Sequence, residues 1–247
     1  MSNMEIRRKP RGDKVYRGAY NYFKGETLYA EEEFEVYKDR KELGMSFFGQ
    51  IHSRVATGEL LNVYMDFTLN KDYIPQKLTI ERTLGDNKVC EMYDFNSRTN
   101  TLDYLFITKD GQDHLQLQVP PKFSISTPCA SSSMLFLKTK KEDTTSKNYY
   151  ATVSSSNQWK CEGSPIQQTI VSERAALASE SLNLDGQSVQ ATPYKIYDAV
   201  DLENEEDFDE VPFITVQISK HSTIPYLVRS QDGIRIQVKY LNDLDKD

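Results

Sequence analysis

Apolar and polar residues alternate along this chain with a period of two, from one end to the other. In Leu61-Asn62-Val63-Tyr64-Met65-Asp66-Phe67-Thr68-Leu69 every odd position is apolar and the even positions are mostly polar. A strand turns successive side chains to opposite faces, so this spacing marks a half-buried strand; a helix would repeat its apolar positions every three or four residues. The same alternation returns at Leu115, Leu117 and Val119, at Ile214, Val216 and Ile218, and at Ile234, Ile236, Val238 and Tyr240. Turn signals such as Lys24-Gly25, Thr57-Gly58, Gly85-Asp86-Asn87, Asp110-Gly111, Asp185-Gly186 and Asp232-Gly233 separate these runs. Each supplies a residue that tolerates positive φ, as tight hairpins require. Strands are predicted over about residues 14–23, 26–38, 42–55, 60–69, 74–82, 88–96, 101–107, 113–119, 149–154, 166–172, 181–184, 188–197, 213–219, 224–229 and 234–241, with sequential neighbours antiparallel.

Helix has little room. Only Ser131 to Leu137 and Ser172 to Ser179 carry helix-compatible stretches, enough for one or two short helices. Lys138 to Asn148 reads as an exposed loop, and Asp198 to Glu210 as a solvated acidic loop that would also suit a basic partner. A flat sheet of this many strands would expose long edges, so it is expected to twist and close, or nearly close, on itself. The predicted fold is therefore all-β: a strongly curved antiparallel sheet of roughly a dozen strands forming an open or nearly closed barrel. One domain is expected over residues 14–242, between a flexible segment 1–13 and a tail 243–247. Barrels of more than about eight strands have room for more than their own side chains, which predicts an occupied cavity.

Composition sharpens this picture. Fifteen Tyr and 11 Phe in 247 residues suit strands with one dry and one wet face. A net charge of −7 argues against a nucleic acid partner, which demands clustered cations; the one basic run is Arg7, Arg8, Lys9 and Arg11. Cys90, Cys129 and Cys161 are odd in number and far apart, which fits a reducing, cytoplasmic setting and neither a metal knuckle nor a full set of disulfides. No export core or run of 18 apolar residues occurs, so no membrane span is expected; a signal removed ahead of residue 1 would make the protein periplasmic. The sequence carries no mark of an oligomeric state and is compatible with a dimer.

Dinucleotide, nucleoside-triphosphate, zinc-protease, serine-hydrolase and Cys-x-x-Cys motifs are absent, so no cofactor and no metal are expected. His221 precedes the final hairpin, as a proton carrier or as a turn histidine facing water. Arg229 ends an apolar strand beside a tight turn, where it would clamp a ligand carboxylate or simply face solvent. Trp159, the single tryptophan, reads as a cap on one cavity mouth or as a core anchor. Tyr16, Tyr20 and Tyr22 share one strand face, suited to an aromatic or amphipathic ligand or to ordinary packing. Glu31, Glu33 and Glu35 share a face that must meet water, since three like charges cannot be buried together. Glu81-Arg82 and Glu91, on adjacent strands, are placed to pair in a cavity or on the surface.

In their order, several of these pieces resemble the LolA/LolB/VioE-like superfamily. The matching elements are Tyr16 to Tyr22, Tyr73-Ile74-Pro75, Ile80-Glu81-Arg82, Met92-Tyr93-Asp94-Phe95, the break at Pro120-Pro121 and Pro128, the apolar segment Ser133 to Leu137, Leu184-Asp185-Gly186, and the closing strands around Ile224-Pro225 and Asp232-Gly233. The resemblance implies an unclosed barrel whose concave side holds lipid or another apolar ligand. It also implies an alternative, a cofactor-independent enzyme acting on an aromatic, carboxylate-bearing metabolite, with Tyr226-Leu227-Val228-Arg229 carrying the ligand carboxylate. A third reading is an interaction protein using its acidic loop. The candidate ligand-binding residues are Arg229, Tyr226, Tyr20, Tyr22, Trp159, Met65, Phe67 and His221, with Leu61, Val63, Met65, Phe67, Leu78, Ile80, Ile234, Ile236 and Val238 expected to face one apolar interior.

Overall fold

The computed structural model describes residues 12–184, 186–199, 212–219 and 223–245. The basic run at Arg7 to Arg11 and His221 lie outside the described residues, as does nearly all of the acidic loop. Eight strands follow one another as a meander: β1 Asp13–Lys24, β2 Thr27–Lys38, β3 Met45–Arg54, β4 Leu60–Leu69, β5 Pro75–Leu84, β6 Asn87–Asn96, β7 Thr101–Ile107 and β8 Gln112–Gln118. A second group comprises β9 Ser124–Ile125, β10 Asn148–Ser154, β11 Ile166–Arg174, β12 Glu180–Leu184, β13 Gln187–Asp198, β14 Ile214–Ser219, β15 Pro225–Ser230 and β16 Ile234–Asp243. Several tight turns carry the glycine their backbone needs, with φ of +58° at Gly25 and +85° at Gly233.

All belong to one sheet, ordered β8-β7-β6-β5-β4-β3-β2-β1-β16-β15-β14-β13-β11-β10-β9, with β12 beside β13. The first and last long strands pair with each other, so the chain's two ends join the halves of the sheet. Pairing is antiparallel throughout except at β9, which runs parallel to β10. The curved sheet is not closed by hydrogen-bonded strands. Edge strand β8 instead meets the second half of the sheet through a side chain; Gln167 Nε2 of β11 donates to the Gln118 carbonyl of β8 at 2.5 Å.

The predicted register holds on β4 and β5: Val63, Met65, Phe67, Leu78 and Ile80 are all buried in the main core. Glu31 and Glu33 face water. One helix expectation is corrected. Residues 172–174 continue β11, because Arg174 pairs with Tyr194 on β13 and a two-pronged ion pair to Glu142 fixes its side chain. The other stretch forms two 3₁₀ turns, Ala130–Ser132 and Leu135–Lys138.

Those turns decide what fills the barrel. The segment from residue 123 to 135 enters the concave side, and Phe123, Ile125, Cys129, Ala130 and Leu135 join the same core as the strand residues. Gly49 on β3 makes room for it, since a side chain there would meet Cys129 Sγ at 2.6 Å. A second, smaller core gathers Met134, Phe136 and Tyr150 with Tyr194, Ile196, Val216, Ile218 and Val228 on the other half of the sheet.

Candidate functional site

Open space lies at the end of the barrel, beside the turns that follow β4 and β6. A recess of about 790 Å³ is lined there by Tyr73, Ile74, Phe95 and Pro121, and by Lys71, Lys122, Lys138, Lys140 and Lys141. Ile74 and Phe95 are buried, and Phe95 meets Phe123 edge-to-face with centroids 4.9 Å apart, so the deep part is apolar. All five lysines are exposed. An adjoining recess of about 190 Å³ shares Tyr73 and Lys138 and adds Tyr16, Met45 and Phe47.

Two of the three non-glycine residues with positive φ among the described residues lie here; the third, Leu43, is in the β2–β3 connection. Tyr73 has φ +60° and Asn100 +54°, and both line the larger recess. Such conformations are costly for residues other than glycine and persist where surrounding bonds impose them. Asn70 imposes the first: its Oδ1 accepts from Asp72 N at 2.9 Å and Ile74 N at 3.0 Å, and its carbonyl accepts from Tyr73 N at 3.1 Å. The turn thereby holds the Tyr73 ring at the opening. Pro75, next in sequence, begins β5 and rigidifies the exit.

Glu32 and Glu91, each at most 1% exposed, anchor two polar sites of the interior. Glu32 is wholly buried on the apolar face of β2; its oxygens accept from Tyr22 OH, from Ala130 N at 2.7 Å and from Ser131 N at 3.2 Å. Burial raises its pKa, and these donors hold the rise in check. Burial beside this carboxylate also pushes the Tyr22 phenol and the Cys129 thiol well up. Glu91, on β6, pairs with Arg82 of β5 and accepts from Tyr93 OH and Tyr104 OH, each at 3.0 Å. Tyr104 OH in turn accepts from Asn157 Nδ2 at 2.8 Å. Asn157 belongs to the loop after β10, so this network latches one half of the sheet to the other across the unpaired seam. Tyr104→Phe is expected to lower stability by about 1–3 kcal/mol, because it leaves the buried Asn157 amide short of an acceptor. Urea unfolding reads the loss. Hydrogen exchange should quicken at the Glu162 amide, which is bonded to Asn157 Oδ1, more than at amides within β3 or β4.

The residues singled out from sequence are dispersed by the fold. Met65 and Phe67 are 0% exposed and line the packed core, with Met65 Sδ accepting from Ser132 Oγ at 3.3 Å. Tyr20 is equally buried, its hydroxyl donating to the Pro225 carbonyl at 2.6 Å. Tyr22 holds Glu32. Tyr226 and Trp159 are half-buried against the main core. Arg229 is exposed on the wall, paired across strands with Thr215 and Arg235, and takes no part in the recess. Its cross-strand neighbour Arg235 is half-buried, its guanidinium 4.1 Å from the Phe23 ring centroid and donating to Gln237 Oε1 at 2.7 Å. His221 cannot be placed, being outside the described residues.

This architecture has a solved counterpart. A β-barrel-like protein of a domain of unknown function, DUF1849, from Brucella abortus superposes with a TM-score of 0.58 at 11% identity, covering 96% of this chain and 100% of that one. At that identity the likeness concerns the fold alone; it supports a barrel-like architecture and does not single out the LolA/LolB/VioE-like superfamily. No protein-family model and no curated protein matches the chain. No helix among the described residues is long and apolar enough to cross a membrane.

The recess residues were legible only in part. Tyr73-Ile74-Pro75 stood out as a motif, but the lysines lie in turns and loops whose convergence no periodicity encodes. Glu32 and Glu91 did leave a signal: each occupies an apolar position of its own strand, between Ala30 and Phe34 and between Val89 and Tyr93.

Proposed function

We propose that this protein binds a small hydrophobic or amphipathic molecule, and that the ligand sits in the end recess beside Tyr73 rather than deep in the barrel. The observation that carries this reading is the coincidence, at one opening, of a volume of about 790 Å³ and two strained residues. That volume falls within the roughly 300–1,000 Å³ typical of small-molecule sites. The interior offers less, since the segment around Cys129 and Leu135 occupies the concave side. A fixed aromatic ring at the mouth supplies contact area at small entropic cost, because Asn70 has already ordered it.

The test uses N-phenyl-1-naphthylamine, a neutral apolar fluorophore. Saturable enhancement is expected with the native chain, and Tyr73→Gly should weaken it about tenfold, the loss of roughly 1.4 kcal/mol of aromatic contact. Glycine accepts the +60° φ without strain, so the variant should remain folded. Undiminished binding by Tyr73→Gly would place the ligand elsewhere, and no binding by the native chain would end the reading.

A further inference from the structure

We propose that the same recess selects amphiphiles with an anionic headgroup, a carboxylate or phosphate carried on a single apolar chain. This inference rests on the reading above and concerns what the recess accepts.

Charge is the deciding observation. Lys71, Lys122, Lys138, Lys140 and Lys141 line the opening, and Asp72 is the single acid beside them. The chain as a whole carries −7, so a ring of five cations runs against its average. Adjacent acids offset only part of it. Arg174 grips Glu142 through two hydrogen bonds of 2.9 and 2.8 Å, which leaves Asp72 and Asp143, the latter bonded within its own turn to Thr145, against five lysines. None of the five lysines joins an ion pair among the described residues. Lys140 lies 4.7 Å from the Tyr150 ring, which holds one of the ammonium groups in place.

Like charges around a concave opening repel one another and focus a positive potential into it, and an anion at that point relieves the repulsion. The apolar depth at Ile74 and Phe95 takes the rest of the molecule. A dissolved amphiphile reaches that depth; a flat bilayer surface does not, and the occupant is therefore the monomeric species.

Displacement of N-phenyl-1-naphthylamine by laurate, dodecyl phosphate and dodecanol tests the idea on the intact chain. Both anions are expected to displace at concentrations about tenfold lower than the alcohol, the sum of a few exposed ion pairs. In the variant carrying Lys138→Gln, Lys140→Gln and Lys141→Gln the ratio of alcohol to anion displacement concentrations should fall severalfold, and added NaCl should shrink it in the native chain. Equal displacement by laurate and dodecanol overturns the charge inference and leaves the recess reading standing. Failure of the fluorophore itself overturns the recess reading. Sedimentation with vesicles of phosphatidylcholine and phosphatidylglycerol, but not of phosphatidylcholine alone, together with no displacement by laurate, would overturn the proposal in favour of a membrane surface.

Discussion

Phe67→Asp is expected to leave the chain unfolded or aggregated at neutral pH, rather than folded and empty of ligand. Phe67 is fully buried, with Phe47 and Leu78 as its cross-strand neighbours. Truncating a buried Phe costs about 3–5 kcal/mol through lost transfer energy and the cavity left behind. An unpaired carboxylate adds several more, whether it ionises in apolar surroundings or stays protonated at neutral pH. The sum rivals the roughly 5–15 kcal/mol that holds a typical domain together. Phe67→Leu keeps most of the volume and should fold. Circular dichroism and a thermal scan separate the outcomes. A Phe67→Asp chain with native melting would mean that this face opens into water, contrary to the packing around Cys129.

Glu32→Ala should rank next, at about 3–5 kcal/mol, since it strands the Tyr22 hydroxyl and the Ala130 and Ser131 amides in a dry core. In a chain of this size each kcal/mol moves the melting midpoint by roughly 2–4 °C. A pH series adds a sharper signature. Burial raises the folded-state pKa of Glu32 above the ordinary value of 4.5. The native state thus favours the protonated acid, and this contribution to stability is complete below 4.5, falls as pH rises through the folded-state value, and is gone above it. Glu32→Gln, which resembles the protonated side chain, should lack that decline. The native-minus-Gln stability difference, measured by urea unfolding at successive pH values, should therefore fall as pH increases. A flat difference would mean that Glu32 titrates normally and that its three donors offset its burial completely.

Alternation and turn glycines were enough to place the long strands, the antiparallel meander of β1 to β8 and the face of β4 and β5 that turns inward. They gave roughly a dozen strands where the sheet has sixteen, however, and they missed both the short parallel β9 and the pairing of β1 with β16. The features they placed depend on local sterics and on a period of two, and a one-residue slip would expose a whole apolar set. The wet face of Glu31 and Glu33 followed from the same rule. What only the tertiary structure decided was the content of the barrel. Strand periodicity cannot say that Phe123 to Leu135 would fold back as 3₁₀ turns and fill the space that strand count alone left open, because that depends on Gly49 and Glu32 offering a seat and two hydrogen-bond acceptors from distant strands. Nor can it bring Lys71, Lys122 and Lys138 to one opening. These residues come from separate connections, and only the curvature of the sheet sets the distance between them.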